Sequence, residues 1–263
     1  MNTSKLNRKY GWIHSLPDAR DRKFDHELLM RVAALPAMVN PLTAVISAYD
    51  QGDVGSCTGN GCGRLAQSRH LAEKLPAPMP SRAFIYALER QMEGTLNQDS
   101  GAQVRDGLKV LAKYGVCPEA IWPYDMTFDR HMQSLPSAAA MAAAKKFLAL
   151  QYQSVACNLM ALKAALAAGN PVVGGFTVFE SFESQAVADT GIMPMPKRGE
   201  QVMGGHCVVW DGYNDAGQFF WCANSWGTSW GASPNGKPSR GWFKMPYANL
   251  INCSDFWVLL KEL

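Results

Sequence analysis

Cys57 closes a glycine-punctuated run, Asp50-Gln51-Gly52-Asp53-Val54-Gly55-Ser56-Cys57, and opens a segment that reads as a helix with Ser56 as its cap. A thiol at a helix N-terminus feels the positive end of the peptide dipole, which favours the reactive thiolate. Gln51 lies across the turn, where its side-chain amide can aim at the same point as the backbone N–H of Cys57. Two donors converging beside a nucleophile make an oxyanion hole. By itself the run reads equally well as a loop around a buried structural thiol. Two later runs, Gly204-Gly205-His206 and Asn224-Ser225-Trp226, shift that balance. A nucleophilic Cys needs a base, and the base needs an orienting partner. His206 supplies the base. The Asn224 carbonyl oxygen can accept from one imidazole N–H, fix the tautomer and leave the other nitrogen facing sulfur. Gly204 and Gly205 leave room above the imidazole.

Cys57 and His206 stand about 150 positions apart, the spacing given for one class of thiol enzyme. The Gln-Gly-x-x-Gly-Ser-Cys run, the Gly-His pair and Asn-Ser-Trp-Gly-x-Ser-Trp-Gly follow in the order Cys, His, Asn. On these residues the chain resembles the papain family of cysteine peptidases, in a short form of bacterial type, over residues 36 to 263. The resemblance implies an α+β, papain-like two-lobe fold, with a helical lobe, a β-barrel-like lobe and the cleft between them. It implies hydrolysis of peptide bonds through a thioester acyl-enzyme, with Cys57 as nucleophile, His206 as base, Asn224 as orienter and Gln51 in the oxyanion hole. It places Ser100, Gly101, Gly204, Gly205 and Trp226 against the substrate, Trp226 also shielding the His–Asn hydrogen bond. The carry-over to Ser100 and Gly101 is the weaker one, because the family's Gly-Cys-x-Gly-Gly run is degraded here. Three departures stand out. Thr58 occupies the usual Trp position after the nucleophile. Val54 replaces a half-cystine, so the family's first disulfide cannot form. The N-terminal segment is unlike the long helical prodomain of many members.

Two competing readings use the same residues. One is a catalytically dead papain-like binding protein, which the intact Cys57, His206, Asn224 and Gln51 argue against. The other is a transglutaminase-like acyl transferase, which usually orients its His with an acid rather than an amide.

Composition sets bounds. The 263 residues are 48% hydrophobic and 18% charged, enough for one large globular unit or two lobes. A net charge of +3 is too mild to suggest a nucleic-acid partner. No apolar run approaches a membrane span, and no apolar leader core follows Met1 to Lys9. Seven cysteines without Cys-x-x-Cys spacing predict no metal, no cofactor and packing thiols in a reducing compartment. The expectation is a cytoplasmic monomer, with leaderless export as the alternative, acting on a peptide or protein. Imidazolium and the helix terminus together predict a Cys57 pKa lowered to roughly 3.5–7.5.

The elements that must position the site follow from periodicity and punctuation. Helices are expected from Cys57 to about Leu75, over 82–93, over 103–114 with Gly115 as stop, over the alanine-rich 129–145, and over 158–168. Glycines 59, 61 and 63 suit a helix wedged between two lobes. Strands are expected over 145–155, 171–178, 205–213, 218–223, 242–245 and 256–260. Residues 36–145 thus form a mainly helical lobe and 146–263 a mainly β lobe. Residues 1–35 form a separate, pro-like segment with Tyr10, Trp12, Ile13, Leu16 and Phe24 as apolar contacts and a short helix from Phe24 to Leu35. It is read either as a cover on the cleft or as an arm packed for stability. The small residues Gly101, Gly204, Gly205 and Cys207 suggest a roomy apolar pocket.

Overall fold

A computed structural model describes residues 8–25, 27, 34–147, 151–234 and 240–260. Two short strands, β1 (Trp12–Ile13) and β2 (Met38–Val39), precede the central helix α1 (Cys57–Ala72). Helices α2 (Arg82–Met92), α3 (Val104–Tyr114) and α4 (Ala138–Ala144) complete the helical lobe, with strand β3 (Ala102–Gln103) between α2 and α3. The second half holds β4 (Gln151–Val155), β5 (Val172–Phe179), β6 (Val202–Asn214), β7 (Phe219–Ala223), β8 (Trp242–Pro246) and β9 (Cys253–Leu260). Helices α5 (Leu159–Ala167) and α6 (Gln185–Thr190) lie in its connections. The strands form one sheet in the order β4-β9-β5-β6-β7-β8, with β2 also paired to β6. Every pairing in it is antiparallel. This is the expected α+β fold with a helical and a β lobe.

Alternation along the strands divides the core in two. On β9, Phe256 and Val258 enter the core of the β lobe, while Trp257 and Leu259 face the helices. On β6, Val208 and Trp210 point one way and Cys207 and Val209 the other. Successive residues of a strand face opposite sides, so one sheet serves both cores. Helix α1 sits between the lobes, and its glycines let it do so. A Cβ on Gly59 would lie 3.0 Å from the Arg82 carbonyl oxygen of α2, and one on Gly61 would lie 2.9 Å from the Cys207 sulfur on β6. The helix is therefore buried all round from Cys57 to Ala66, and only its last turns reach the surface.

Local signals account for most boundaries. Ser81, Ser137 and Asn158 cap their helices by accepting from Phe84 N, Ala140 N and Ala161 N. Gly115 ends α3 at φ +73°. Ser56 occupies the cap position of α1, but its hydroxyl does not cap. It lies 2.5 Å from the Tyr124 hydroxyl and accepts from Asn60 Nδ2.

Several expectations are corrected. The alanine-rich helix starts only at Ala138, because Pro136 bars the residues before it from helical backbone. Residues 145–147 form a 3-10 turn, and the strand begins at Gln151. Residues 38–39, counted above with the helical lobe, pair with β6. The expected helix from Phe24 to Leu35 lies largely outside the described residues. Among the six cysteines read as packing thiols, Cys157 is exposed. All seven cysteines are free. Among the described residues no helix is long and apolar enough to cross a membrane, and no cluster of His, Cys, Asp and Glu could hold a metal.

Candidate active site

Cys57 begins α1 and is fully buried. The backbone N–H groups of Cys207, Gly11 and Thr58 favour its thiolate, but burial is the larger effect and pushes the Cys57 pKa up to about 12. This reverses the low value expected from the helix terminus. His206, on β6, is also fully buried, and burial lowers its pKa to about 4 despite the hydrogen bond to Asn224. In this closed arrangement both groups are held neutral.

His206 Nε2 lies 2.8 Å from Asn224 Oδ1. The same Oδ1 accepts from the backbone N–H of Ser225 at 2.8 Å. An amide nitrogen could not accept that bond, so the oxygen of Asn224 must face His206. Nε2 then carries the proton, and Nδ1 bears the lone pair. Nδ1 is buried and has no hydrogen-bond partner. The tautomer is thus the one a base needs.

Aromatic rings fix the imidazole plane. Trp226 stacks on it with centroids 5.0 Å apart at 24°, and Phe176 meets it edge-on at 5.8 Å. Trp230 packs edge-on against Trp226 at 4.9 Å. Gln51 is oriented by the same kind of lock. Its Oε1 accepts from Ser225 Oγ at 2.6 Å, which turns Nε2 toward the carbonyls of Val54 (2.9 Å) and Lys9 (3.2 Å). Ser225 therefore orients both amides, Asn224 through its N–H and Gln51 through its hydroxyl. The sequence reading gave it no role, although it stands inside the Asn-Ser-Trp-Gly run.

Residues 8–15 run across these groups. The Arg8 guanidinium lies 3.7 Å above the Trp226 ring, and the Tyr10 ring meets His206 edge-on at 5.9 Å. The Tyr10 hydroxyl donates to Glu183. The Gly11 carbonyl accepts from Ala102 N at 2.8 Å, and β1 pairs in parallel with β3. Four of the expected substrate-side residues meet this segment. Gly101, at φ +77°, would place a Cβ 2.2 Å from the Gly11 oxygen. A Cβ on Gly204 would lie 2.7 Å from Tyr10, and one on Gly205 2.7 Å from Trp12. Trp226 carries Arg8 on its face. Ser100 is not brought in. It is exposed, and its hydroxyl donates to Thr95 Oγ1 and the Gly101 carbonyl. Cys207 also points elsewhere, its sulfur packed toward Gly61, as the strand alternation requires.

Thr58 leads to a group that sequence reading missed. Its hydroxyl donates to Glu89 Oε2 at 2.8 Å, and Glu89 Oε1 is buried without a partner. Burial, opposed by the Thr58 hydrogen bond, raises the Glu89 pKa well above the carboxylate range. The folded chain therefore keeps a proton that the unfolded chain releases near the ordinary glutamate pKa of about 4.3. Stability is full below that pH and falls as pH rises toward the folded-state value. Glu89→Gln should raise the melting temperature at pH 8, by about 2–4 °C for each kcal/mol recovered. It should change it little near pH 4.5. Equal shifts at both pH values in a thermal melt would contradict this reading.

The model of the papain family cysteine proteases matches residues 40–254. An uncharacterized peptidase C1-like protein of Acanthamoeba polyphaga mimivirus is 37% identical over 287 aligned positions, covering 98% of this chain and 89% of that protein. Xylellain, a cysteine protease from Xylella fastidiosa, superposes with a TM-score of 0.87 at 35% identity, with full coverage of both chains. A procathepsin B of Trypanosoma congolense shares the fold, with a TM-score of 0.74 at 16% identity over 99% of this chain and 89% of its own. The chain belongs to the papain family of cysteine proteases.

Proposed function

We propose that this protein hydrolyses peptide bonds through a thioester on Cys57. The observation that carries the reading is the tautomer lock. Ser225 N–H fixes Asn224, Asn224 fixes His206, and the imidazole is left with a buried lone pair on Nδ1. His206 takes the thiol proton, and the sulfur attacks the substrate carbonyl carbon. The carbonyl oxygen becomes an oxyanion held by Gln51 Nε2 and the Cys57 N–H. His206 then protonates the leaving amine, and water, activated by His206, releases the acid and restores the thiol. The Lys9 carbonyl supports the assignment of Gln51, since a carbonyl oxygen already sits on its Nε2.

In the same reading residues 8–15 act as an internal cover. Their contacts with Gln51, His206, Gly101, Gly204 and Trp226 are those a substrate would need. They also exclude the water that a thiolate–imidazolium pair requires, which accounts for the raised thiol and lowered imidazole pKa. The acyl-transferase alternative shares the Cys–His pair but lacks the acidic orienter, since Asn224 carries no charge.

The test is the fate of the acyl group. A peptide with a fluorogenic leaving group should yield free acid as its main product, even with a millimolar primary amine present, and the Cys57→Ala chain should show only background release. Amide formation that outruns hydrolysis would favour the transferase. Undiminished turnover by Cys57→Ala would remove the nucleophile assignment.

A further inference from the structure

Two parts of the cleft that must stand in register lie on different stretches of chain. Gln51 and Cys57 sit on the turn before α1, while Ala102 opens β3, the strand edge on which β1 pairs. No disulfide ties the turn down, since all seven cysteines are free. Its start is held by Gln51 N, which donates to the Ser225 carbonyl at 2.9 Å, and by the Tyr124 hydroxyl, which donates to the Gln51 carbonyl at 2.8 Å. Its end meets Asp99. Gly55 N donates to Asp99 Oδ1 at 3.0 Å and to Oδ2 at 3.2 Å. A Cβ on Gly55 would lie 3.2 Å from the same Oδ1, so glycine lets the carboxylate come this close. Asp99 Oδ1 also accepts from the Tyr86 hydroxyl at 2.8 Å, and that hydroxyl accepts from Gly101 N at 3.0 Å. The chain of bonds Gly55–Asp99–Tyr86–Gly101 thus joins the nucleophile turn to the residue before β3.

The surroundings hold this chain of bonds in place. Tyr86 is fully buried, and the Arg90 guanidinium lies 4.0 Å over its ring. The same guanidinium donates to the carbonyls of Leu96 at 2.6 Å and Gln98 at 3.1 Å, bracing the loop that presents Asp99. The Asp99 side chain is only 9% exposed. Hydrogen bonds to a carboxylate are stronger than those between neutral groups, which suits a tie with no covalent help. Along β3 the backbone N–H groups are shared out. Gly101 N goes to Tyr86 and Gln103 N to Glu93 Oε1 at 2.8 Å, while Ala102 N meets the Gly11 carbonyl of residues 8–15 at 2.8 Å. In that segment the carbonyl on Gln51 Nε2 belongs to Lys9 and the one on Ala102 N to Gly11. A peptide held through its backbone spans the same two donors. The spacing of turn and strand then decides whether its carbonyl carbon meets the sulfur, and a misplacement of about 1 Å can cost about a hundredfold in rate.

We propose that Asp99 and Tyr86 are positioning residues that set the nucleophile turn against the edge of β3. The proposal rests on the peptidase reading above and extends its site. Neither side chain touches a reacting atom; they act through Gly55 and Gly101. Two rates measured on the full chain carrying Trp12→Ala test it. One is kcat/KM for a fluorogenic tetrapeptide, which spans turn and strand. The other is the rate constant for alkylation of Cys57 by iodoacetamide, which uses the turn alone. Both scale with the folded, open fraction, so their ratio is insensitive to lost stability and to the lost Lys9–Asp99 contact. Asp99→Ala should lower this ratio by about tenfold or more, and Tyr86→Phe, which releases only the Gly101 end, should lower it as well. Asp99→Asn should keep the ratio within about threefold of the parent, because its side-chain oxygen can accept from both Gly55 N and the Tyr86 hydroxyl. An unchanged ratio in Asp99→Ala or in Tyr86→Phe, or an Asp99→Asn chain as impaired as Asp99→Ala, overturns the proposal and leaves the peptidase reading standing. No cleavage of the peptide by the parent chain overturns both.

Discussion

Replacing His206 with Ala is expected to cost about 10⁴–10⁶ in kcat for a peptide substrate, and Asn224→Ala about a hundredfold less than that, on the scale of other nucleophile–base–orienter sets. The difference follows from what holds the imidazole. His206 alone can accept the thiol proton, and the described residues around it offer stacking and edge contacts rather than a second base. Asn224 shares its work with the Trp226 stack and the Phe176 edge. Without the amide oxygen the ring keeps its plane but loses its tautomer preference, so a fraction of molecules presents an N–H to the sulfur. The structure therefore predicts a graded series, with wild type fastest, then Asn224→Ala, then His206→Ala. Steady-state kinetics on one fluorogenic peptide measures it. An Asn224 variant as inactive as the His206 variant would mean that packing does not hold the ring.

Substituting Arg8, Tyr10 and Trp12 together by Ala should lower KM at neutral pH by about tenfold or more while leaving kcat nearly unchanged. A covered cleft binds substrate only in the fraction of molecules that is open, so apparent affinity is reduced by that fraction. In the proposed reading the segment is a tethered cover acting at high effective concentration, which lets individually modest contacts compete. The three side chains hold Trp226, Glu183 and Asp255 in turn. The substitution leaves the Lys23 bridge to Ser154, and the Phe24 N–H bond to the Ser154 carbonyl, in place. This makes it a cleaner probe than deletion of residues 1–35. A purely structural arm would instead give a lower melting temperature and an unchanged KM.

The proposed cover also predicts a pH dependence. With the cleft closed, burial lowers the His206 pKa to about 4. In the open state the proposed thiolate–imidazolium pair holds the same single proton as the closed neutral pair, and it gains a second when the thiolate is protonated, in its lowered range of roughly 3.5–7.5. As pH falls through that range toward about 4, the open state gains a proton that the closed state does not, so closure weakens. The KM ratio between wild type and the triple variant should therefore shrink on acidification. A ratio constant from pH 7 to pH 4.5 would show that closure does not exclude this proton.

The parts of this molecule that were readable in the sequence are those written in short contiguous runs. Gln51 and Cys57 sit on one glycine-rich turn, and Asn224 and Trp226 on another, so residue types and spacing sufficed. The helix stop at Gly115 is equally local. What escaped notice depends on contacts between distant positions. Glu89 meets Thr58 from another helix, and Asp255 meets Trp12 across nearly the whole chain. A lone acidic residue in a helix or at a strand start carries no local mark of such a partner. Pro136 was a local signal, outweighed in the reading by alanine propensity. The thiol pKa differs from expectation for another reason. The helix terminus does favour the thiolate, but the sulfur is fully buried, and desolvation is the larger effect.

The most direct test of the account is the alkylation of Cys57 in the chain with Arg8, Tyr10 and Trp12 replaced by Ala, at mildly acidic pH, read by intact mass and peptide mapping. Exposed Cys157, whose thiol pKa burial raises above the ordinary value, serves as an internal marker, and an added free thiol serves as the ordinary reference. The account predicts that limiting iodoacetamide labels Cys57 well ahead of Cys157, and that His206→Ala abolishes this lead. Labelling of Cys157 first, with Cys57 no faster than a free thiol, would contradict an activated Cys57–His206 pair and leave a papain fold without its chemistry.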